Sequence, residues 1–218
     1  MRYKNILFDL DGTLTDSGKG ITHSVMYALE KFGIHVADYR ELFPFIGPPL
    51  KDSFKKYYQF SEEEALLAIR YYHEYFKEKG LFDNQLYPHI EALLLTLKEN
   101  GHRLFLATSK PERFAKQILD YFQLSQYFDY IAGADMEGLR VEKGDVIGYL
   151  LDTFEMGDLS QTIMVGDREH DVIGARANHI DTIGVLYGYG SREELEKAGA
   201  IEIVDSVEDL QKILTQNL

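Results

Sequence analysis

The sequence predicts an α/β protein with a doubly wound parallel sheet, interrupted after its first strand by a small helical unit. Three observations predict it. Past residue 84, short apolar runs alternate with amphipathic stretches of helical period. Residues 16–83 break that rhythm, with several helical patterns and no convincing strand. The chain also opens on an apolar run, Asn5-Ile6-Leu7-Phe8, that a turn follows at once. Parallel neighbours need long crossovers, so strands alternating with helices argue for a parallel sheet.

Taken in order, Asn5–Phe8 is the first strand, buried on both faces by its composition. The insertion then holds helical patterns at Ile21–Phe32 and Glu62–Lys79, the second opened by Ser61-Glu62-Glu63-Glu64 with capping-box spacing. The aromatics Tyr57, Tyr58, Phe60, Tyr71, Tyr72, Tyr75 and Phe76 are read as the core of that helical unit. Phe43–Leu50, with three prolines, is its stiffest connection. Beyond residue 84, strands are predicted at Leu104–Ala107, Tyr130–Ala132, Thr162–Val165, Thr182–Val185 and Ile201–Val204. Helices are predicted at 89–99, 111–122, 143–154, 169–178, 191–198 and 206–215. Pro88 and Pro111 stand where helices should start, and Asn100-Gly101 where one should stop. The predicted division is a core of residues 1–15 and 84–218 and a helical unit of 16–83.

Composition narrows the partners. The 218 residues are 45% hydrophobic, enough for a core and one accessory unit. With 23 basic and 36 acidic residues the net charge is −13, which repels nucleic acid and anionic membrane surfaces. No apolar stretch of about 18 residues is present to span a membrane. The first strand begins too early to leave room for a signal peptide, and cysteine is absent, so a cytoplasmic location without disulfides or thiolate metal sites is expected. No feature of the sequence sets an oligomeric state. An acidic protein that binds phosphate would need a cation, a few placed Lys or Arg, and backbone N–H groups.

Three segments supply such groups, each at the end of a predicted strand. Asp9-Leu10-Asp11-Gly12-Thr13-Leu14 brings two carboxylates to the carboxyl edge of the sheet, where parallel α/β sheets bind ligands. Gly12 lets the chain turn there and leaves backbone N–H groups facing an anion. In Met164–Asp171, Asp167 follows a strand and Asp171 lies four residues on, over the same face of a helix. In Leu106–Pro111, the Thr108 hydroxyl ends a strand, and the amides of the helix opening after it would cradle a phosphate. Lys110 would add a substrate contact from the rim. Plain structural roles are available for each: a turn at Asp11-Gly12, a helix cap at Asp167, a cap at Thr108 or Ser109.

Together these strings, in this order, resemble the motifs of the haloacid dehalogenase superfamily of phosphotransferases, and the resemblance covers nearly the whole chain. It implies a Rossmann-like core with residues 16–83 as an α-helical cap. It implies Asp9 as nucleophile, Asp11 as general acid and base, and Thr108 as a ligand of the phosphoryl oxygens, with Ser109, Gly12 and Lys110 beside it. A carboxylate attacking phosphorus needs a hard cation to offset anion–anion repulsion. The resemblance makes this Mg²⁺, held by Asp9, Asp11 and Asp167 with Asp171 in support, and leaves Arg168 and His170 peripheral. Lys143 matches the family's charge-offsetting lysine, with Arg140 as competitor, because Gly144-Asp145 stands where prolines usually follow. Retention of Asp11 separates the chain from the metal-free dehalogenases.

The expected activity is Mg²⁺-dependent hydrolysis of a small phosphomonoester, in the manner of the phosphoglycolate-phosphatase-like branch, with phosphoglycolate or a nucleoside monophosphate as substrate. A mutase similar to β-phosphoglucomutase is the first alternative; only Lys51 lies near the Ile46–Pro49 loop, where such enzymes carry a basic residue for a second phosphate. A non-catalytic phosphometabolite-binding module is the other. Gly18-Lys19-Gly20-Ile21-Thr22 lacks P-loop spacing. Gly184, Gly188 and Gly190 do not make a dinucleotide fingerprint and are read as easing a loop near the site mouth.

Overall fold

A computed structural model describes residues 2–135 and 140–216, so part of the loop predicted before Lys143, residues 136–139, lies outside the described residues. Along the chain the first elements are β1 (Asn5–Phe8), β2 (Thr15–Asp16), α1 (Gly18–Glu30), a 3-10 turn (Tyr39–Phe45), α2 (Leu50–Tyr58), α3 (Glu62–Tyr75), a π-helical turn (Phe76–Gly80) and β3 (Gln85–Leu86). Then come α4 (Ile90–Glu99), β4 (Arg103–Pro111), α5 (Glu112–Tyr121), β5 (Tyr130–Ala134), α6 (Lys143–Thr153), β6 (Thr162–Gly166), α7 (Glu169–Ala177), β7 (Asp181–Val185), α8 (Arg192–Ala198), β8 (Glu202–Val204) and α9 (Val207–Thr215). Two compact units result: Met1–Thr15 with Leu86–Leu218, and Asp16–Gln85.

The larger unit is an α/β fold on a six-stranded parallel sheet in the order β5-β4-β1-β6-β7-β8. Strand β1 is central, and all four of its residues are buried. Leu7 is in register with Phe105 of β4 and Met164 of β6. These three form one core with Val146, Ile147 and Leu150 of α6 and Ala175 of α7. The chain adds β4 and β5 on one side of β1, then crosses to add β6 to β8 on the other. The carboxyl ends of β1, β4 and β6 therefore meet at the switch in strand order, where such sheets open a crevice for ligands.

Strand β4 departs from its sequence reading. It continues to Pro111 instead of ending at Ala107, and its register with β5 shifts between Ala107 and Pro111. Gly133 of β5 permits this, since a Cβ there would meet the Lys110 carbonyl at 2.5 Å and the Glu112 backbone at 2.7 Å. Helix α5 accordingly starts at Glu112, with Pro111 at its N-cap. The pair β2 and β3 leaves no trace in the sequence, because two-residue strands carry no hydrophobic period.

The Asp16–Gln85 unit is helical. Its core stacks Phe54 on Phe60 at 5.8 Å, with Phe32 4.6 Å from Phe60 and Phe45 5.1 Å from Phe54. Tyr57 is the exception among the aromatics read as core: it is exposed. Helix α3 opens on the expected capping box, Glu64 N–H donating to Ser61 Oγ at 3.2 Å and Ser61 N–H to Glu64 Oε2 at 2.8 Å. Gly20 and Gly80 let α1 and the π-helical turn cross closely.

Candidate active site

The site is built from strand ends. The N–H of Asp9, one residue past β1, donates to the Val165 carbonyl of β6 at 3.0 Å. The chain then folds back: Leu14 and Thr15 N–H both donate to the Leu10 carbonyl, and Gly12 N–H to the Thr15 carbonyl at 2.8 Å. Gly12 has φ +87°, and a Cβ on it would collide with the Asp167 carboxylate. Glycine is thus required twice over, by backbone sterics and by the neighbouring acid.

Asp9 lies two residues past Leu7, on the side where α6 begins. Lys143, the first residue of α6, places its Nζ 2.6 Å from Asp9 Oδ1 and 2.8 Å from Asp171 Oδ1, and donates to the Ala107 carbonyl at 3.0 Å. Helices α6 and α7 approach through Gly144 and Gly174, and Asn178 Nδ2 bridges their carbonyls at 2.9 and 2.8 Å. Asp171 stands in the first turn of α7 and accepts the Arg168 N–H through Oδ2 at 3.1 Å.

Asp167 follows β6 and is fully buried. Its Oδ2 accepts the Tyr189 N–H at 2.8 Å and its Oδ1 the Thr13 hydroxyl at 3.4 Å. The loop after β7 reaches it because Gly188 and Gly190 carry no Cβ to collide with Asp167. The Tyr187 hydroxyl donates to the Thr13 carbonyl at 3.1 Å, tying that loop to the turn after β1.

Burial dominates the electrostatics. It pushes the Asp9 carboxyl up to about 6 against the pull of Lys143, with Asp171 and Asp11 adding to the rise. Burial also holds Asp167 well above the usual carboxylate range, with Asp171 and Asp9 reinforcing it. For Lys143 burial acts downward, yet Asp171 and Asp9 outweigh it and the ammonium is stabilised. Asp9, Asp167 and Asp171 each offer an oxygen within 4.8 Å of the others. Four buried carboxylates, Asp9, Asp11, Asp167 and Asp171, face two buried ammonium groups, Lys110 and Lys143. That excess of negative charge, with oxygen donors alone, fits a hard divalent cation.

Asp11 points elsewhere. Lys110 Nζ lies 2.7 Å from its Oδ2. Thr108 is buried, and its Oγ1 accepts the Lys110 N–H at 3.3 Å.

A family model described as haloacid dehalogenase-like hydrolase matches residues 6–185. The chain belongs to the haloacid dehalogenase-like hydrolases. A 5'-nucleotidase of Pseudomonas aeruginosa is 45% identical over 195 residues, covering 89% of this chain and 88% of its own. The tyrosine-protein kinase PtkA of Mycobacterium tuberculosis is 37% identical over 213 residues, covering 96% and 72%. A crystal structure of a predicted phosphatase from Clostridium acetobutylicum superposes with a TM-score of 0.96 at 53% identity, covering 99% of this chain and all of the other. The protein is a phosphatase of this family, a phosphoric monoester hydrolase, which sets aside the non-catalytic alternative.

Within this hydrolase the structure brings Asp9, Lys143, Asp167 and Asp171 into one buried cluster, with Gly12 against Asp167 and Thr108 within the adjacent strand β4. It does not place Thr108 and Ser109 at a helix N-terminus, because β4 runs on to Pro111. Nor is Lys110 on the rim: its ammonium is buried against Asp11. Arg140 points away from the cluster, its Nε donating to the Gly133 carbonyl at 2.8 Å and its Nη2 pairing with Glu112 at 2.9 Å. Arg168 pairs with Glu194 at 2.8 Å. The sequence did not single out Thr13, Tyr187, Tyr189 or Asn178: Thr13 and Tyr187 act through lone hydroxyls, Tyr189 through its main-chain N–H, and a single Asn beyond a helix carries no pattern. The glycines at 188 and 190 were the available signal for the Tyr189 contact. Among the described residues, no helix is long and apolar enough to cross a membrane.

Proposed function

We propose that the protein hydrolyses a small phosphomonoester with Mg²⁺, through a phosphoryl group carried on Asp9. The observation that carries this reading is the Lys143 ammonium, 2.6 Å from Asp9 Oδ1 and 2.8 Å from Asp171 Oδ1, inside a buried carboxylate cluster. A cation held against Asp9 prepares it to accept an anionic group that it would otherwise repel.

Asp9 attacks phosphorus as the bond to the leaving oxygen breaks, and Asp11 gives that oxygen its proton. Water then attacks the phosphorus and returns a proton to Asp11, while the bond to Asp9 breaks and inorganic phosphate leaves. Thr108, Ser109 and the N–H groups around Gly12 hold the phosphoryl oxygens, and Lys143 offsets their charge. Asp9, Asp167 and the Asp11 carbonyl, supported by Asp171, would hold Mg²⁺, which when bound neutralises charge between nucleophile and phosphoryl group.

The Asp16–Gln85 unit is assigned the role of a substrate-selecting cap, with Ile46–Pro49 reading the leaving group. Lys51, the basic residue nearest that loop in sequence, is paired with Glu62 at 3.0 Å, which favours hydrolase over mutase. The 45% identity to a 5'-nucleotidase supports trying nucleoside monophosphates before phosphoglycolate. The test is a rapid acid quench with ³²P-labelled substrate and Mg²⁺, followed by peptide mapping. Label on the peptide containing Asp9, absent with EDTA or in Asp9→Asn, is expected. Full turnover with label on another residue would overturn the nucleophile.

A further inference from the structure

We propose that Lys110 is a positioning residue for proton transfer: it holds Asp11 by Oδ2, so that Oδ1 is the oxygen that exchanges the proton with the leaving group. This rests on the reading of Asp11 as general acid and base.

The two oxygens of Asp11 are not equivalent. Oδ2 is 2.7 Å from Lys110 Nζ, with the two side chains only 9% and 6% exposed. Oδ1 is buried and has no hydrogen-bond partner among the described residues. A buried carboxylate oxygen left without a partner costs free energy, and a catalytic role is one reason for a folded protein to keep one. The terminal torsion of an aspartate is broad, so a carboxylate fixed at neither oxygen would turn and exchange them. An ammonium on one oxygen stops that rotation.

The local backbone holds Lys110 in place. The extension of β4 to Pro111 makes residue 110 part of a strand end instead of a helix turn. Its N–H is bound by Thr108 Oγ1 at 3.3 Å, and its carbonyl lies against Gly133, where a Cβ would approach to 2.5 Å. Both flanks of the residue are thereby fixed before its side chain extends to Asp11.

A cation that simply gripped the phosphate would act alike on every substrate, since all present the same group. A residue that aims Asp11 acts in proportion to how much the leaving oxygen needs a proton. A nitrophenolate leaves readily unprotonated; an alkoxide does not. The experiment measures single-turnover phosphorylation of p-nitrophenyl phosphate and of an alkyl phosphate by Asp11→Asn, Lys110→Met, Lys110→Gln, Lys110→Arg and the double variant Asp11→Asn/Lys110→Met.

Asp11→Asn should lose about tenfold or more extra on the alkyl phosphate, the scale of general-acid catalysis. Lys110→Met should show the same bias, the double variant should be no worse than Asp11→Asn, and Lys110→Arg should recover part of the alkyl rate. Lys110→Gln keeps an N–H donor without the charge and gives the same reading if the Met variant does not fold. Equal losses on both substrates in the Lys110 variants, or additive losses in the double, would overturn the proposal while Asp11→Asn still shows the bias. Absence of the bias in Asp11→Asn itself would instead overturn the general-acid reading, and the Lys110 proposal with it.

Discussion

Lys143 reaches Asp9 past the bare α-carbon of Gly174. A Cβ on Gly174 would sit 3.0 Å from both Cβ and Cγ of Lys143 and 2.8 Å from the Gly144 N. The reverse does not hold: a Cβ on Gly144 would meet nothing closer than 3.7 Å. Two glycines at one helix crossing therefore have different reasons to be there.

That asymmetry predicts opposite outcomes for one substitution. Gly174→Ala must push α6 from α7 or bend the Lys143 stem, costing about 1–3 kcal/mol of stability as an overpacked contact does. The ammonium would move off Asp9, and kcat should fall with it. Gly144→Ala should be neutral or stabilising by up to about 1 kcal/mol, as alanine is the better helix former. Urea denaturation and steady-state assays of the two variants check this; equal behaviour would contradict it.

Substitution of the proposed nucleophile should give the sharpest loss. Asp9→Asn keeps the volume and removes the attacking charge, so turnover should drop about 10⁴-fold or more, as removal of a covalent nucleophile does. Circular dichroism should stay that of the parent, because Asp171 still pairs with Lys143.

Affinity for the proposed Mg²⁺ should respond to a residue outside its proposed ligand set. Gly190 lies against the main chain at Asp167, and its neighbour Tyr189 donates an N–H to Asp167 Oδ2 at 2.8 Å. Gly190→Ala should displace that donor and weaken Mg²⁺ binding about 10–100-fold, the scale of losses when a ligand's supporting contact is removed. Isothermal titration with Mg²⁺ measures this directly. Gly157→Ala, where a Cβ would meet nothing within 4 Å, is the control and should bind as the parent.

The sequence made the sheet and the carboxylate cluster legible for a physical reason. The buried strands β1 and β6 read as unbroken apolar runs, and each delivers an acid within one residue of its end, so order along the chain became proximity at one edge. Lys143 reads ahead of Arg140 in the sequence because it opens a predicted helix, and Arg140 spends its guanidinium on the Gly133 carbonyl and Glu112. Lys110 was misplaced for a subtler reason: Thr-Ser-Lys-Pro looks like a strand end and helix start, while the register shift that keeps it in β4 depends on Gly133, more than twenty residues away. The contacts of Thr13 and Tyr189 to Asp167 run through a hydroxyl and a main-chain amide, which no side-chain pattern announces.

Specificity should separate from chemistry by position. Gly47 has φ +102° and lies between buried Ile46 and the Pro48-Pro49 pair that opens α2, so this connection holds one shape. Substitutions at Pro48 or Pro49 should change kcat/KM for a nucleoside monophosphate and for phosphoglycolate unequally, by about tenfold between them, the scale of one apolar pocket contact. Lys143→Met should depress both by the same factor. A ratio of kcat/KM values unchanged by every substitution at 48 and 49 would remove this loop from substrate selection.

Acid should weaken the fold through His102. Its ring is buried, and Nδ1 donates to the Tyr3 carbonyl at 2.8 Å, which leaves Nε2 inside the protein without a partner. Burial accordingly lowers the pKa of this histidine below the ordinary 6.5. Above 6.5 the ring is neutral whether the chain is folded or unfolded, and it contributes no pH dependence. Below 6.5 the unfolded chain takes up a proton that the folded protein refuses, so stability falls as pH drops, until the lowered folded value is reached. One proton sets the limit at about 1.4 kcal/mol per pH unit within that window. His102→Gln removes the titrating ring, so the stability difference between parent and variant should shrink from pH 7.5 to pH 5.5, read by urea denaturation at both. A difference constant across that range would show that His102 is not protonated more readily in the unfolded chain.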